Sequence, residues 1–488
     1  MYQVFDEAST PAASSDRVEA LLRELKKRRL KGFLVPHSDQ HQNEFLPPSE
    51  ERLAWLTGFT GSAGVAIVTD SGSALFVDGR YILQAPEQVD TEIFEVLQIP
   101  KAKPSEWLKS KLVRNNAVGY DARLHTISEI ERLTKSLGAA GIRLRALKDN
   151  PIDRIWGTDR PAPPQAEIFA QPLEFAGKGS GEKLIHVQME LVEAEHDAVL
   201  LTSPESICWL FNYRGGDIRH TPVALAHAIV PAKGRPTLFI DAEKVGEPMR
   251  DALKPFTDIA APDELDAALT KLAKSGAKVR LDEGSASMHF ANVLSAGGTK
   301  HVAGGDPCTL PKAIKTNAEQ QGARSAQLRD GVAMARFLAW LDEVGETGRV
   351  DEVSAAIKLE EFRRETGQLK DISFDTIAAS GPHGAIVHYR PTNDSKRVLD
   401  RNSLFLIDSG GQYTDGTTDV TRTVAVGRPT AEMKRHYGLV LRCHIAIASA
   451  RFPEGSRGQD LDPFARGPLW AAGLDFDHGT GHGVGSYL

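Results

Sequence analysis

The chain has few cysteines and no long uncharged apolar run, and each absence excludes a class of protein. Its cysteines, Cys208, Cys308 and Cys443, are too few and too widely spaced for a disulfide scaffold or a C-x-x-C zinc site. The first fifteen residues hold no apolar segment typical of a secretory signal, and no uncharged apolar run reaches eighteen residues. We therefore expect free thiols, no membrane partner and a cytoplasmic location.

An excess of positive charge is also missing. The formal net charge is −7, with 25% charged and 41% hydrophobic residues, which is typical of an ordinary globular protein. Such a chain offers no broad cationic surface for nucleic acid, so we expect no nucleic-acid partner. The length of 488 residues predicts about three domains, because one domain typically takes roughly 100–200 residues.

An apolar segment followed by a glycine-rich turn lies in the last fifth of the chain. Residues 404–407 are short, continuously apolar and bounded by turn residues, which predicts a strand buried on both faces that ends at Asp408. Three glycines then predict a turn, and an antiparallel return brings Asp419 beside Asp408. Two buried carboxylates repel each other unless one is protonated or a cation lies between them. The pattern therefore favours a metal ion.

A histidine pair in a glycine-rich loop follows some sixty residues later, in the run His478-Gly-Thr-Gly-His482-Gly-Val-Gly. Imidazole is the commonest metal ligand, and carboxylate oxygens with imidazole suit Mn²⁺, Fe²⁺, Co²⁺ or Zn²⁺. Each piece alone has an ordinary alternative, since Asp beside Gly is common turn chemistry. The combination of both acids with the histidine loop is what favours a metal site.

The first two thirds of the chain repeat one pattern. Ala66-Ile-Val68 recurs as Ala228-Ile-Val230, and Leu75-Phe-Val-Asp78 recurs as Leu238-Phe-Ile-Asp241, at offsets of 162 and 163. Trp55-Leu56 likewise matches Trp209-Leu210. Alternating strand and helix patterns predict an α/β unit used twice, with a chance match as the alternative. We predict domains at residues 1–155, 156–311 and 312–488.

The third domain opens with a helix. Thr316 and Glu319 have the spacing of a capping box. The helix is predicted to bury an apolar stripe as core, formed by Leu328, Val332, Ala335 and residues 338–341. A second helix at residues 352–365 and the later strands predict an α+β shell around an internal site.

The residues around Asp408, Asp419 and His482 resemble the metal-site motifs of the creatinase and prolidase superfamily of pita-bread metallopeptidases. The likeness is greatest to the cytosolic three-domain aminopeptidase P family, the Xaa-Pro aminopeptidases. It covers nearly the whole chain and includes the segments Glu51–Gly64 and Ala385–Pro391. It implies a fold of α/β and α+β parts, with two related creatinase-like N-terminal domains followed by a pita-bread catalytic domain.

The resemblance also implies roles for five side chains. Asp408 would bind one metal ion, Asp419 would bridge two, and His482 would bind the second. His388 and His478 match family histidines that steady the tetrahedral intermediate and shuttle protons. The implied cofactor is a pair of divalent ions, Mn²⁺ first and Zn²⁺ or Co²⁺ as alternatives, with a metal-bridged hydroxide as nucleophile. The implied partners are peptides with proline at the second position and a second copy of the chain.

The sequence departs from the family after the histidine loop. The family has two further glutamate ligands downstream, whereas only Gly-Val-Gly-Ser-Tyr-Leu follows His482. We therefore expect a catalytic domain incomplete at its C-terminus, most simply a fragment of a longer enzyme, with a truncated gene or a second chain as alternatives. As printed, the chain is expected to have little metal affinity and no turnover. Two other functions remain open, a prolidase-like dipeptidase and an inactive peptide-binding protein.

Overall fold

The computed structural model describes residues 1–6 and 11–488, so residues 7–10 of the N-terminal segment discussed above lie outside it. The first domain is built on a six-stranded mixed sheet. In spatial order its strands are Phe94–Gln98, Gly72–Val77, Val65–Thr69, Gly32–Pro36, Ala117–Asp121 and Arg143–Leu147. The main helices around it are Ser14–Lys27, Arg52–Thr57, Pro104–Lys111, Ile127–Gly138 and Pro151–Trp156.

The second domain has a sheet of the same size and strand order. Its strands are Asp258–Ala260, Thr237–Phe239, His227–Pro231, Ala198–Leu201, Val279–Leu281 and Val302–Ala303. The main helices are Ser180–Glu193, Pro204–Phe211, Glu247–Leu253, Leu265–Lys274 and Met288–Ala296. In both sheets two antiparallel pairings lie at the middle and parallel pairings lie at both ends.

The predicted repeat is confirmed at the level of single residue pairs. Ala66 lies opposite Leu75 in the first sheet, and Ala228 lies opposite Leu238 in the second. A change of register by one residue would turn every apolar side chain to the other face, so equal register means that the same positions form both cores. All four side chains are fully buried.

The third part of the chain combines long helices with short antiparallel sheets. The helices are Asn317–Val344, Glu352–Arg364, Ala431–Ala448 and Gly458–Trp470. One sheet joins Ile377–Ser380, Ser403–Ser409 and Val420–Val426, and a smaller one joins Asp371–Ile372, Gly411–Tyr413 and Gly416–Thr417. The helix at Asn317 begins with the predicted capping box, in which Thr316 Oγ1 accepts from Glu319 N–H and the Glu319 carboxylate accepts from Thr316 N–H.

The predicted core stripe of this helix is wrong in its first part and confirmed at its end, where Leu338, Trp340 and Leu341 pack in the core. Leu328 is 74% exposed and Val332 is 56% exposed, and Ala335 also faces solvent, although Leu341 is buried as expected. The buried face lies to one side and holds three small residues, three large apolar residues and two acids: Gly322, Ala326, Ala333, Met334, Phe337, Leu341, Glu319 and Asp330.

The physical reason for the difference is a close approach of the chain to the helix. A Cβ at position 322 would overlap the carbonyl oxygen of Asp415, which lies in the turn of the hairpin that follows Asp408. Small residues let the hairpin reach the helix, and hydropathy gives no signal for burial of that kind.

The strand before Asp408 is also less buried than predicted. It forms as expected over Ser403–Ser409, but burial alternates along it, so that Phe405 and Ile407 are fully buried while Leu404 and Leu406 are only half-buried. One face packs on the core and the other is partly open, which is the usual pattern of an antiparallel sheet. The prediction of burial on both faces is therefore wrong.

Across the described residues, no helix combines the length and the apolar character needed to cross a membrane.

Candidate metal centre

Two neighbouring antiparallel strands carry the acidic pair. Strand Ser403–Ser409 runs against strand Val420–Val426, with Asp408 opposite Thr421 and Ser409 opposite Val420. Asp419 directly precedes the second strand, so the hairpin brings its side chain next to Asp408. Position 410 must be glycine for this return, because a Cβ there would overlap the carbonyl oxygen of Thr418.

The electrostatics of the pair fit a site in which a cation or a proton offsets the negative charge. Burial raises the pKa of Asp408, and the nearby Asp419 raises it further, although a hydrogen bond from Thr421 opposes both effects. Burial also raises the pKa of Asp419, while His482 lowers it. The Oδ1 atom of Asp408 is buried and has no hydrogen-bond partner. A buried acceptor without a donor is costly, and a divalent cation is one group that satisfies it.

His482 lies at the open side of the pair. Its Nε2 atom is 3.3 Å from Asp419 Oδ2, its Nδ1 atom is 2.8 Å from the carbonyl oxygen of Gly483, and its side chain is 72% exposed. A carbonyl only accepts, so Nδ1 carries a proton and donates to it. Among the described residues, no group of three or more His, Cys, Asp or Glu side chains has the geometry to hold a metal ion.

The donors that are present nevertheless fit a divalent cation in kind. The structure brings Asp419 into contact with both Asp408 and His482, and supplies carboxylate oxygens with one imidazole nitrogen. Oxygen ligands with imidazole are the set preferred by Mn²⁺ and by similar first-row ions. The observation that carries this fit is the buried, unpartnered Oδ1 atom of Asp408.

The structure does not bring His478 to the acidic pair. Its side chain is exposed, Nδ1 hydrogen-bonds the carbonyl oxygen of Gly479 at 2.7 Å, and the ring lies 4.5 Å from that of Phe476. The loop it occupies touches the first domain, because a Cβ at Gly79 would overlap Asp477 and because Gln98 Nε2 donates to Asp477 Oδ2 at 3.1 Å.

His388 is held from the first domain. Its Nδ1 atom is 2.8 Å from the hydroxyl oxygen of Tyr81, and the two rings meet edge to face at 5.6 Å. Burial lowers the pKa of His388 and Arg80 lowers it further, while Asp408 is among the acids that oppose the shift. A neutral imidazole is therefore favoured, at a point where two domains meet close to the acidic pair.

A buried ion pair lies behind Asp419. Arg363 is fully buried and forms two hydrogen bonds to Asp330, from Nε at 2.8 Å and from Nη2 at 2.9 Å. Tyr413, in the hairpin, donates its hydroxyl to Asp330 at 2.8 Å. Arg363 also lowers the pKa of Asp419, after the effects of burial and of His482. This network ties two helices to the hairpin that carries both acids.

Tyr81 and Arg363 are not among the site residues predicted from the sequence. For Tyr81 a signal was available in the comparison of the two repeats, because Asp78 matches Asp241 but the residue three positions on is Tyr81 in one copy and Lys244 in the other. Nothing in the local sequence marks Arg363, since its partner Asp330 lies 33 positions away on another helix.

Comparison with known families places the whole chain in one group. Residues 17–149 match the Creatinase/Prolidase N-terminal domain, and residues 159–319 match a second family with the same description. Residues 321–488 match the Metallopeptidase family M24. These three matches agree with two related N-terminal domains followed by a pita-bread domain.

Individual relatives agree with the family matches. A probable Xaa-Pro aminopeptidase P of Neurospora crassa is 38% identical over 99% of this chain and 72% of its own length. One from Sordaria macrospora is 39% identical over 97% of this chain and 79% of its own length. Among solved structures, the X-prolyl aminopeptidase of Caenorhabditis elegans, described as a cytosolic enzyme with a di-nuclear active site, superposes with a TM-score of 0.92. That match has 32% identity and covers 97% of this chain and 80% of the other.

Proposed function

The chain belongs to the family of M24 metallopeptidases that contains the Xaa-Pro aminopeptidases P, and from that membership we propose that it removes an N-terminal residue from peptides whose second residue is proline. The observation that carries the proposal is the acidic pair Asp408 and Asp419 with the buried Oδ1 atom of Asp408 unpartnered. The reaction is metal-dependent hydrolysis of the peptide bond that precedes proline.

Three side chains would hold the metal ions. Asp408 would bind one ion, Asp419 would bridge both, and His482, whose Nε2 atom faces Asp419, would bind the second. When bound, two divalent ions polarise the scissile carbonyl and lower the pKa of water enough for attack near neutral pH. Mn²⁺ is the proposed ion, with Zn²⁺ or Co²⁺ as alternatives, because oxygen-rich sites with one imidazole suit these metals.

Two histidines would handle protons and developing charge. His388 is neutral and held by Tyr81, so it is available to accept or donate at the nitrogen that Tyr81 leaves free. His478 lies in the same glycine-rich loop as His482, where its exposed side chain would serve as the second proton-handling group.

Proline explains why a dedicated enzyme is needed. An X-Pro bond has no N–H group, and its ring restricts the residue before it. Peptidases that recognise an extended chain by hydrogen bonds therefore lose one donor at this position. The protein is further proposed to be cytoplasmic, in line with its free buried cysteines and with the cytosolic relative. It is also proposed to form a homodimer, as the family resemblance implies.

A substrate comparison tests the proposal. The full-length gene product should release arginine from Arg-Pro-Pro, lose activity when a chelator removes metal, and recover it with Mn²⁺. Cleavage of Gly-Pro alone would instead identify a prolidase-like dipeptidase. Peptide binding without cleavage in the presence of Mn²⁺ would identify an inactive binding protein and would overturn the proposal.

A further inference from the structure

A chain of hydrogen bonds links the first domain to His388. It begins at the carboxylate of Glu44, which can only accept hydrogen bonds. Ser62 donates its hydroxyl to Glu44 Oε1 at 3.0 Å, and Arg80 holds the same oxygen through Nη1 at 3.0 Å. Arg80 is itself fixed by several hydrogen bonds to Asp78. An ionised carboxylate offers no proton, so the direction of the Ser62 bond is set.

Each later bond then has one possible direction. The Ser62 hydroxyl has a single proton, which goes to Glu44, so its contact with the Tyr81 hydroxyl at 2.7 Å requires Tyr81 to donate. Tyr81 keeps its proton at neutral pH, because burial raises the pKa of its phenol. With that proton used, the Tyr81 oxygen only accepts, and it does so from the backbone N–H of Ser62 at 3.0 Å.

The same oxygen lies 2.8 Å from His388 Nδ1, which must therefore be the donor. We propose that Tyr81 is a positioning residue, through which the first domain fixes His388 in the tautomer protonated at Nδ1 and leaves Nε2 as a free acceptor. This rests on the proposed function, and it deepens it. Two roles are open to this histidine, accepting a proton and donating to an oxyanion. A neutral ring with Nε2 unprotonated can do the first but not the second.

The arrangement also accommodates the ring after it has accepted a proton. Nδ1–H stays on the Tyr81 oxygen while Nε2 gains the proton, so no hydrogen bond in the chain has to reverse. The carboxylate of Glu44 at the far end favours the positive ring, because the intervening hydroxyls are aligned toward it. The role of the first domain is thus to prepare one nitrogen of a side chain that belongs to the third domain.

Two substitutions make different predictions for the tautomer. In Ser62→Ala, the Tyr81 hydroxyl loses the oxygen to which it donates. The nearest remaining acceptor is His388 Nδ1, so Tyr81 donates to that nitrogen. The His388 ring then changes to the form protonated at Nε2. In Tyr81→Phe the packed ring stays, but the hydroxyl that hydrogen-bonds both Ser62 and His388 is lost. Neither tautomer of His388 is then favoured, so a mixture results. Tyr120→Phe is the matched control, since it removes a hydroxyl from a buried ring in the same domain that packs on His125 instead.

The tautomer is read by two-bond ¹H–¹⁵N correlations on protein labelled with ¹⁵N-histidine, with the His388 signals identified by their loss in His388→Gln. We expect Nδ1–H in the unmodified protein and in Tyr120→Phe, Nε2–H in Ser62→Ala, and a mixture in Tyr81→Phe. Nε2–H in the unmodified protein, or an unchanged Nδ1–H signal in Ser62→Ala, would overturn the inference.

Kinetics give a second readout. In Tyr81→Phe, kcat on Arg-Pro-Pro should fall about tenfold or more while KM changes little, because a positioned proton acceptor contributes roughly 10²–10⁴-fold and only part of that is lost with its positioning. Equal kcat in Tyr81→Phe and Tyr120→Phe would contradict the positioning role. If the tautomers follow the expectation but no X-Pro peptide is cleaved, the proposed function fails and the inference about His388 stands.

Discussion

Replacing Arg363 by methionine is predicted to destabilise the third domain strongly. The guanidinium is fully buried and makes two hydrogen bonds to Asp330, whose residue is 1% exposed. Methionine fills most of the volume but leaves the carboxylate of Asp330 with only the Tyr413 hydroxyl as a donor. The large cost in free energy comes from leaving the Asp330 carboxylate buried without a cation, because removing both partners of a buried pair together costs much less.

The expected cost follows from comparison with an exposed pair. Removing one partner of a buried ion pair typically costs about 3–5 kcal/mol. The surface pair Arg401 and Glu346 has a similar distance of 3.0 Å, but both side chains are more than half exposed, so Arg401→Ala should cost less than about 1 kcal/mol. In a domain of this size, each kcal/mol lost lowers Tm by about 2–4 °C. A cost of about 3–5 kcal/mol for Arg363→Met therefore lowers Tm by roughly 6–20 °C.

Scanning calorimetry on both variants checks the prediction. The double variant Asp330→Asn/Arg363→Met removes both charges and should recover part of the loss, because the amide oxygen introduced at position 330 still accepts from Tyr413. The reasoning is refuted if Arg363→Met unfolds no earlier than Arg401→Ala, or if the double variant is less stable than Arg363→Met alone.

Three further predictions test other parts of the account. Asp419→Asn should bind fewer than two metal ions by elemental analysis, and metal content equal to the unmodified protein would contradict its bridging role. Burial holds the pKa of Lys183 at about 7, so between pH 7 and 9 the unfolded chain binds more protons and stability should rise with pH. The denaturation midpoint of Lys183→Met should rise less over that range, and an equal rise would contradict the assignment. Leu328→Glu should change stability by less than about 0.5 kcal/mol, whereas Phe337→Ala should cost about 3–5 kcal/mol, and similar denaturation midpoints would contradict the observed helix face.

The sequence was sufficient for features that depend on local pattern. The repeat could be recognised in the sequence because equivalent buried positions hold the same residue types. The pair Ala66 and Leu75 has the same register as its counterpart, Ala228 and Leu238. The same holds for the hairpin at Asp408, since an apolar strand and a glycine-rich turn are signals within a few residues of each other. Domain boundaries at 155 and 311 remain a proposal.

Features that depend on distant pairs were not predictable in this way. The helix beginning at Asn317 buries Asp330 because Arg363 neutralises it, and it buries Gly322 because a hairpin nearly a hundred residues later approaches closely. Judged by hydropathy alone, Leu328 would be buried before Asp330 or Gly322. The contact between Tyr81 and His388 spans 307 positions and joins two domains, so no local pattern reports it.

The central claim is that Asp408 and Asp419 share divalent ions with His482. An anomalous difference map from crystals of the full-length gene product grown with Mn²⁺ tests it directly. Two peaks are expected, one beside Asp408 and the other beside His482, with Asp419 in contact with both. A map with no peak between the two carboxylates would contradict it.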